Sequence, residues 1–180
     1  MNEKKYNQPQ SAKSSPFGGV RGGLFFLFCV FLFTSCDEDR HLDWKYINQQ
    51  WFEQQRQRID PETGERFWNE TESGLLFRII NPGIGDGTFE TRPSIRSRVR
   101  VGYRGTLFTG VTFDSNTNAE FAVGGVVPGF SEALQMMQRN GIIQIIIPYR
   151  LGYGDRGMGI TIPPYSILQF EIELHNFWTN

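Results

Sequence analysis

The stretch Phe121-Ala122-Val123-Gly124-Gly125-Val126-Val127-Pro128-Gly129-Phe130-Ser131-Glu132-Ala133-Leu134 decides the fold. It reads as a short apolar strand, a glycine break, a turn and the first turn of a helix. Pro128 suits an early helical position, where its missing N–H is not needed, and Ser131 to Met137 continues at helical spacing. This predicts Phe130 on the inner face of a short helix packed against a sheet. Val127 then lies on the turn entering that helix, where backbone N–H groups have no intrahelical partner. An aromatic floor beside a free N–H donor makes a small apolar site with one polar anchor, the general form of a ligand pocket.

Outward from that stretch the pattern is β. Leu75 to Ile80 alternates and stops at Asn81-Pro82-Gly83, with Gly85 and Gly87 continuing the loop. Within Ser94 to Phe108, Val99, Val101, Tyr103 and Leu107 recur at even spacing. Ile142 to Ile147 is almost wholly β-branched and reads as covered on both faces. Ile167 to Phe177 alternates again, with Leu168, Phe170, Ile172 and Leu174 on one face. Several strands and one short helix predict an α+β domain, a mostly antiparallel sheet wrapped around the helix, over residues 71–180.

The N-terminal part is of another kind. Lys4, Lys5, Lys13 and Arg21 precede Leu24 to Phe33, an uninterrupted apolar run of ten. Ten helical residues span roughly 15 Å, about half a bilayer core, which is too short to cross it. A basic leader, a short apolar core and small residues before a break describe a secretory signal over residues 1–35. The break Phe33-Thr34-Ser35-Cys36 resembles a bacterial lipobox, in which Cys36 is lipidated and becomes the first mature residue; the alternative is a plain signal with a coincidental cysteine. Cys29 leaves with the signal and Cys36 carries the lipid, so no disulfide is expected. Asp37-Glu38-Asp39 reads either as an envelope-sorting signal or as a solvated tether. The location expected is the bacterial cell envelope, lipid-anchored at the outer membrane.

Residues 36–70 form the expected tether. In it Trp44, Ile47, Trp51 and Phe52 make one stripe of a helix over about 42–58, capped by Asp43 and ended by Asp60-Pro61. The helix either docks a partner or packs its tryptophans on the following domain. Losing residues 1–35 removes four basic side chains and Glu3, which leaves 14 basic against 18 acidic, a net of −4. With no basic patch of interleaved aromatics, nucleic acid is not an expected partner.

Only His41 and His175 are present, which argues against a histidine-dependent triad or a His-based metal site. Gly152 to Gly159 is glycine-rich but lacks the lysine and Ser/Thr of a phosphate loop. What remains is an aromatic set at strand–loop junctions: Tyr103, Phe113 beside Asp114, Phe130, Phe170, and Tyr153 between two glycines. A loop tyrosine commonly keeps its hydroxyl for a partner, whereas Asp114 taken by itself reads as a turn cap.

The order of these motifs resembles that of FKBP-type peptidyl-prolyl isomerases. The resemblance rests on Val101-Gly102-Tyr103-Arg104-Gly105-Thr106-Leu107, Gly110 to Ser115, Val126 to Phe130, Pro148 through Tyr153-Gly154, and Ile162-Pro163-Pro164 running to Leu168 and Phe170. It covers roughly residues 72–178. It implies a proline pocket lined by Tyr103, Phe113, Phe130 and Phe170, with Val126, Val127 and Ile162 around it. The Val127 N–H and the Tyr153 hydroxyl would bond substrate carbonyls, and Asp114 would supply a polar wall. Phe130 replaces a tryptophan common at that floor. Ala119 stands where many members carry another aromatic, and the loop Ser115-Asn116-Thr117-Asn118 is short and lacks an arginine that often pairs with the aspartate. Both departures point to a pocket more open on one side.

The resemblance implies rotation of X-Pro bonds in exported polypeptides, with no cofactor and no metal. The implied partners are proline-containing chains, macrolide-type ligands, and the membrane through Cys36. A second reading keeps the pocket as a non-catalytic client-binding or adaptor module. A third is a structural lipoprotein whose N-terminal helix carries the function.

Overall fold

The computed structural model describes residues 36–88 and 91–179; the expected signal segment and the Cys36 side chain lie outside the described residues. Six strands form one sheet: β1 (Asn69–Glu70), β2 (Leu76–Asn81), β3 (Ser97–Leu107), β4 (Thr112–Ala122), β5 (Gly141–Ile147) and β6 (Leu168–Thr179). Their spatial order is β1-β2-β5-β6-β3-β4, and every neighbouring pair is antiparallel. Two helices accompany it, α1 (Cys36–Arg56) and α2 (Pro128–Met136). The α+β class expected from the alternation is the class observed.

The sheet is amphipathic by alternation. On one face, Val99 and Val101 of β3, Ile143, Ile145 and Ile147 of β5, and Leu168, Phe170, Ile172 and Leu174 of β6 are buried with Phe130, Ala133 and Leu134 of α2. Nine residues make a helix too short to persist alone, so packing of that apolar face holds α2. The approach is close: a methyl group on Gly129 would come within 2.6 Å of Ile147 Cγ2. On the other face, Leu76 and Ile146 pack with Trp68 and Ile167 under Trp51, Phe52 and Phe67. Ile145 and Ile146 thus serve opposite cores, as a doubly covered strand requires.

Four sequence expectations are corrected. Ser115–Asn118 is not a loop but part of β4; Val101 faces Ala119 while Tyr103 faces Asn116, so the extra residue is absorbed as a bulge. Polar side chains there suggested a loop, yet an edge strand tolerates them because its outer flank is solvated. Val123 is not strand: β4 ends at Ala122 and Val123–Gly125 forms a 3₁₀ turn. Asp43 does not cap α1, which starts seven residues earlier at Cys36. Ile47 is not on the packing stripe, since 46% of it is exposed; Asn48 takes that place, fully buried. The short strand β1 pairs with β2 across the limit expected at Thr71, and residues 35–180 form one compact unit.

Candidate functional site

Five aromatic rings meet on the α2 side of the sheet. Phe130 from α2 stands edge-on to Phe170 of β6 at 5.0 Å and to Tyr103 of β3 at 6.0 Å between centroids. Phe113 of β4 stands edge-on to Phe170 at 5.4 Å. Phe121 of β4 closes the group, 5.7 Å from Tyr103 and 6.2 Å from Phe130. These tilted and edge-to-face arrangements are the favoured geometry of aromatic pairs. Phe130 and Phe170 are buried at 4% and 8% exposure, while Tyr103, Phe113 and Phe121 are only half-buried. The cluster therefore has a closed floor and an open rim.

Gly105 makes room for it. A methyl group there would lie 2.6 Å from Phe170 Cε1 and 2.7 Å from Phe113 Cζ. The rings lean over the glycine because β3 presents no side chain at that point.

The other expected residues belong to the same core. Ile162 is buried in this core, and Val126, Val127 and Tyr153 pack against it. Val127 immediately precedes α2, and its carbonyl accepts from the Phe130 and Ser131 N–H groups, each at 3.0 Å. Among the described residues its own N–H has no intramolecular acceptor, as the helix-entry position dictates. Tyr153 follows the 3₁₀ turn Tyr149–Leu151, and Gly154 N–H closes that turn on Tyr149 O at 2.9 Å. Ile162 sits opposite Met158 in a tight hairpin. The hairpin requires Gly157, with φ of +67° and the Ile162 carbonyl only 2.2 Å from where a Cβ would be.

Asp114 lies in β4, not at a turn, and its Oδ2 accepts the Tyr103 hydroxyl at 2.7 Å. Burial, this hydrogen bond and the carboxylate charge together raise the Tyr103 phenol well above its ordinary value. Burial first, and then the Asp114 charge, also raises Tyr153. Both phenols keep their protons at neutral pH. The Tyr153 hydroxyl has no partner among the described residues and remains a donor at the rim. A hollow of about 220 Å3 lies toward the other face of the sheet, where Arg104, Thr106, Gln144 and Glu171 line it together with Phe67, Trp68 and Phe170. Its walls mix charged and amide side chains with aromatic ones.

Eight of the nine expected residues lie in or against one core, and the ninth, Asp114, is joined to it by the Tyr103 hydroxyl. The sequence reading omitted Phe121, which lies two residues beyond Ala119 on the same face of β4. The i, i+2 relation of Ala119 and Phe121 within β4 carries that signal, whereas the sequence by itself reads Phe121-Ala122-Val123 as a short buried strand.

An antiparallel sheet with incompletely covered aromatic rings, a free amide and a free phenol makes an α+β domain whose chemistry would suit an apolar ring attached to hydrogen-bonding groups. The model of FKBP-type peptidyl-prolyl cis-trans isomerases matches residues 90–175, and this part of the chain belongs to that family. The chain is 48% identical over 110 residues to the FKBP-type 22 kDa peptidyl-prolyl cis-trans isomerase of Escherichia coli, covering 59% of this chain and 51% of that protein. It is 39% identical over 106 residues to the outer membrane protein MIP of Legionella longbeachae, 57% of this chain and 43% of that one. The crystal structure of FkpA from Escherichia coli superposes with a TM-score of 0.67 at 27% identity, covering 79% of this chain and 64% of that chain. The chain thus spans about half the length of the curated relatives it matches.

Proposed function

We propose that the protein is a peptidyl-prolyl cis-trans isomerase acting on proline-containing polypeptides in the bacterial cell envelope. The observation that carries this reading is the single ring cluster of Tyr103, Phe113, Phe130 and Phe170, with Val126, Val127 and Ile162 around it. In this reading a prolyl ring enters over Phe130, and Phe121 joins the wall. The Val127 N–H and the Tyr153 hydroxyl hold flanking carbonyls, and Asp114 orients the Tyr103 phenol.

Rotation about X-Pro faces a barrier of about 18–20 kcal/mol because the amide must give up its resonance. The twisted amide has a single-bond C–N and a redistributed charge. An apolar recess that strips water from the planar form, with a donor fixed at its mouth, favours the twisted form. Each ~1.4 kcal/mol of such differential binding is tenfold in rate. No bond is made or broken.

A protease-coupled proline-peptide assay on the full chain tests this, with Tyr153→Phe and Asp114→Ala as comparisons. Acceleration that each variant diminishes is the expected result. A rate equal to buffer removes the enzyme and leaves the second reading, a client-binding module without catalysis. The small Ala119 on the half-buried face of β4, which widens the recess, is the observation on that side. Binding of a macrolide-type ligand is a further expectation of the same recess.

The proposed anchor is lipid on Cys36. Its support is the basic leader and apolar run ahead of Phe33-Thr34-Ser35-Cys36, and the outer membrane name borne by one relative. Labelled fatty acid incorporated by the full chain but not by Cys36→Ala checks it.

A further inference from the structure

The helix α1 reaches past the sheet to the segment that follows Ile162. Trp44 Nε1 donates to Ser166 Oγ at 3.1 Å, and that hydroxyl donates to the Pro163 carbonyl at 2.6 Å. One turn later Asn48, at 0% exposure, accepts the Ile167 N–H at 2.9 Å and donates to the Trp44 carbonyl at 2.8 Å. Between them the Lys45 ammonium lies 4.6 Å from the centroid of the Tyr165 ring. Tyr165 has a φ of +62°, an uncommon conformation for a bulky residue that surrounding structure must hold. Its N–H donates to the Gly154 carbonyl at 2.8 Å, and its ring meets Tyr149 edge-on at 5.5 Å. One face of α1 thus grips Ser166 and Ile167 directly. Through Tyr165 the grip extends to the loop that carries Tyr153.

We propose that α1 is a positioning element for the recess, with Trp44 and Asn48 as its positioning residues. They fix Pro163–Ile167 and, through it, Ile162 on one side and Tyr153 on the other. The proposal rests on the reading of the ring cluster as the proline site. Truncating Asn48 leaves the buried Ile167 N–H without its acceptor, which favours loosening of the segment. If the binding-competent arrangement is then only fractionally populated, apparent affinity falls by that fraction while turnover at saturation is retained. A merely structural role does the reverse: less folded protein lowers apparent kcat and leaves KM unchanged.

The test uses the full chain and four variants: Asn48→Ala, Trp44→Phe, Ser166→Ala, and the Trp44→Phe/Ser166→Ala pair. Asn48→Ala is expected to raise KM for a proline peptide about tenfold with kcat held within about twofold. Trp44→Phe keeps an aromatic side chain, though a smaller one, and removes the donor, so KM rises about threefold; the pair is no worse than Ser166→Ala alone, because that change already removes the bond the two residues share. Hydrogen–deuterium exchange is followed in parallel, with faster exchange expected at Tyr153–Ile167 and none added in β3 or β6. Should Asn48→Ala fail to fold, the Trp44 and Ser166 variants carry the test. Unchanged KM in every folded variant, with kcat falling only as the folded fraction falls, overturns the proposal. If the unaltered chain shows no isomerase activity, the proposed function fails on that result, and exchange decides the coupling by itself. Faster exchange confined to Tyr153–Ile167 upholds it, and unchanged exchange there ends it.

Discussion

The two faces of the sheet share their strands and differ in how they are finished. On β6, Leu168, Phe170, Ile172 and Leu174 are buried toward α2, and the face continues into half-buried rings at Tyr103, Phe113 and Phe121. The alternate residues Gln169 and Glu171 bond to the Leu107 carbonyl and to Gln144 instead, while Trp51 and Phe52 of α1 cover the apolar remainder. On that face the polar strand residues bond to each other or to backbone, and the rings of Trp51, Phe52 and Phe67 lie over the apolar ones. On the α2 side the half-buried rings of Tyr103, Phe113 and Phe121 come with an amide at Val127 and a phenol at Tyr153 that have no partner among the described residues. The lesson is that the recess is the part of the apolar surface that the chain leaves unfinished, and the outer core is what makes that affordable.

Truncation of one residue from each core should separate the two roles most strongly. Phe170→Ala is expected to cost about 3–5 kcal/mol and Ile146→Ala about 2–5 kcal/mol, because both leave cavities in closed packing. Urea unfolding midpoints measure this. The isomerase assay should then part them: Phe170→Ala loses activity at least roughly tenfold per folded molecule, equivalent to ~1.4 kcal/mol, whereas Ile146→Ala keeps it. Equal losses of activity in both variants would break the distinction between the faces.

A finer version uses two glycines of one strand. Gly105→Ala drives a methyl group to 2.6 Å from Phe170 and 2.7 Å from Phe113. Overpacking of that kind costs about 1–3 kcal/mol, and it should displace the rings and depress activity. Three residues earlier, on the other face, Gly102→Ala meets His175 Nε2 and the Thr117 carbonyl no closer than 3.4 Å. That is ordinary contact, so stability should change by less than about 1 kcal/mol, with the loss of unfolded-chain freedom working in its favour. Thermal unfolding and the same assay check both variants. A Gly105→Ala protein as active as Gly102→Ala would show that the rings need no particular placement.

The same contrast explains what could be read without coordinates. The α2-side core was legible because alternation is a strict period, and Val99 to Leu107 and Leu168 to Leu174 obey it. The entry to α2 was legible because Pro128 and a free amide at Val127 follow from helix geometry alone. β4 was not, since as an edge strand it carries Ser115, Asn116, Thr117 and Asn118, which resemble turn residues, and its bulge breaks the period. Phe121 was missed for that reason. On α1 the apolar stripe pointed to Ile47, but Asn48 is buried because it satisfies a backbone donor 119 residues away. A long-range hydrogen bond of this kind leaves no local pattern.

The smallest expected effect lies at the rim and is read with pH. Tyr103 and Tyr153 both have phenols raised above the ordinary value of 10.0, by burial first and then by Asp114. A group that holds its proton more tightly when folded contributes stability that is fully present below its unfolded value and is lost as pH rises toward its folded one. Stability and activity should therefore be flat in these groups up to about pH 10 and fall only above it. The tyrosinate absorbance should therefore include a later stage that carries Tyr103 and Tyr153. Tyr103→Phe and Tyr153→Phe should each remove part of that later stage, and Asp114→Asn should move it down by withdrawing the negative charge that both phenols face. Tyr103→Phe also deletes the 2.7 Å hydrogen bond, but at an exposed carboxylate its loss should cost no more than about 1 kcal/mol. If the later stage were unmoved by Asp114→Asn, the rim would not be electrostatically joined, and the open edge of the recess would be no different from any other half-buried pair of rings.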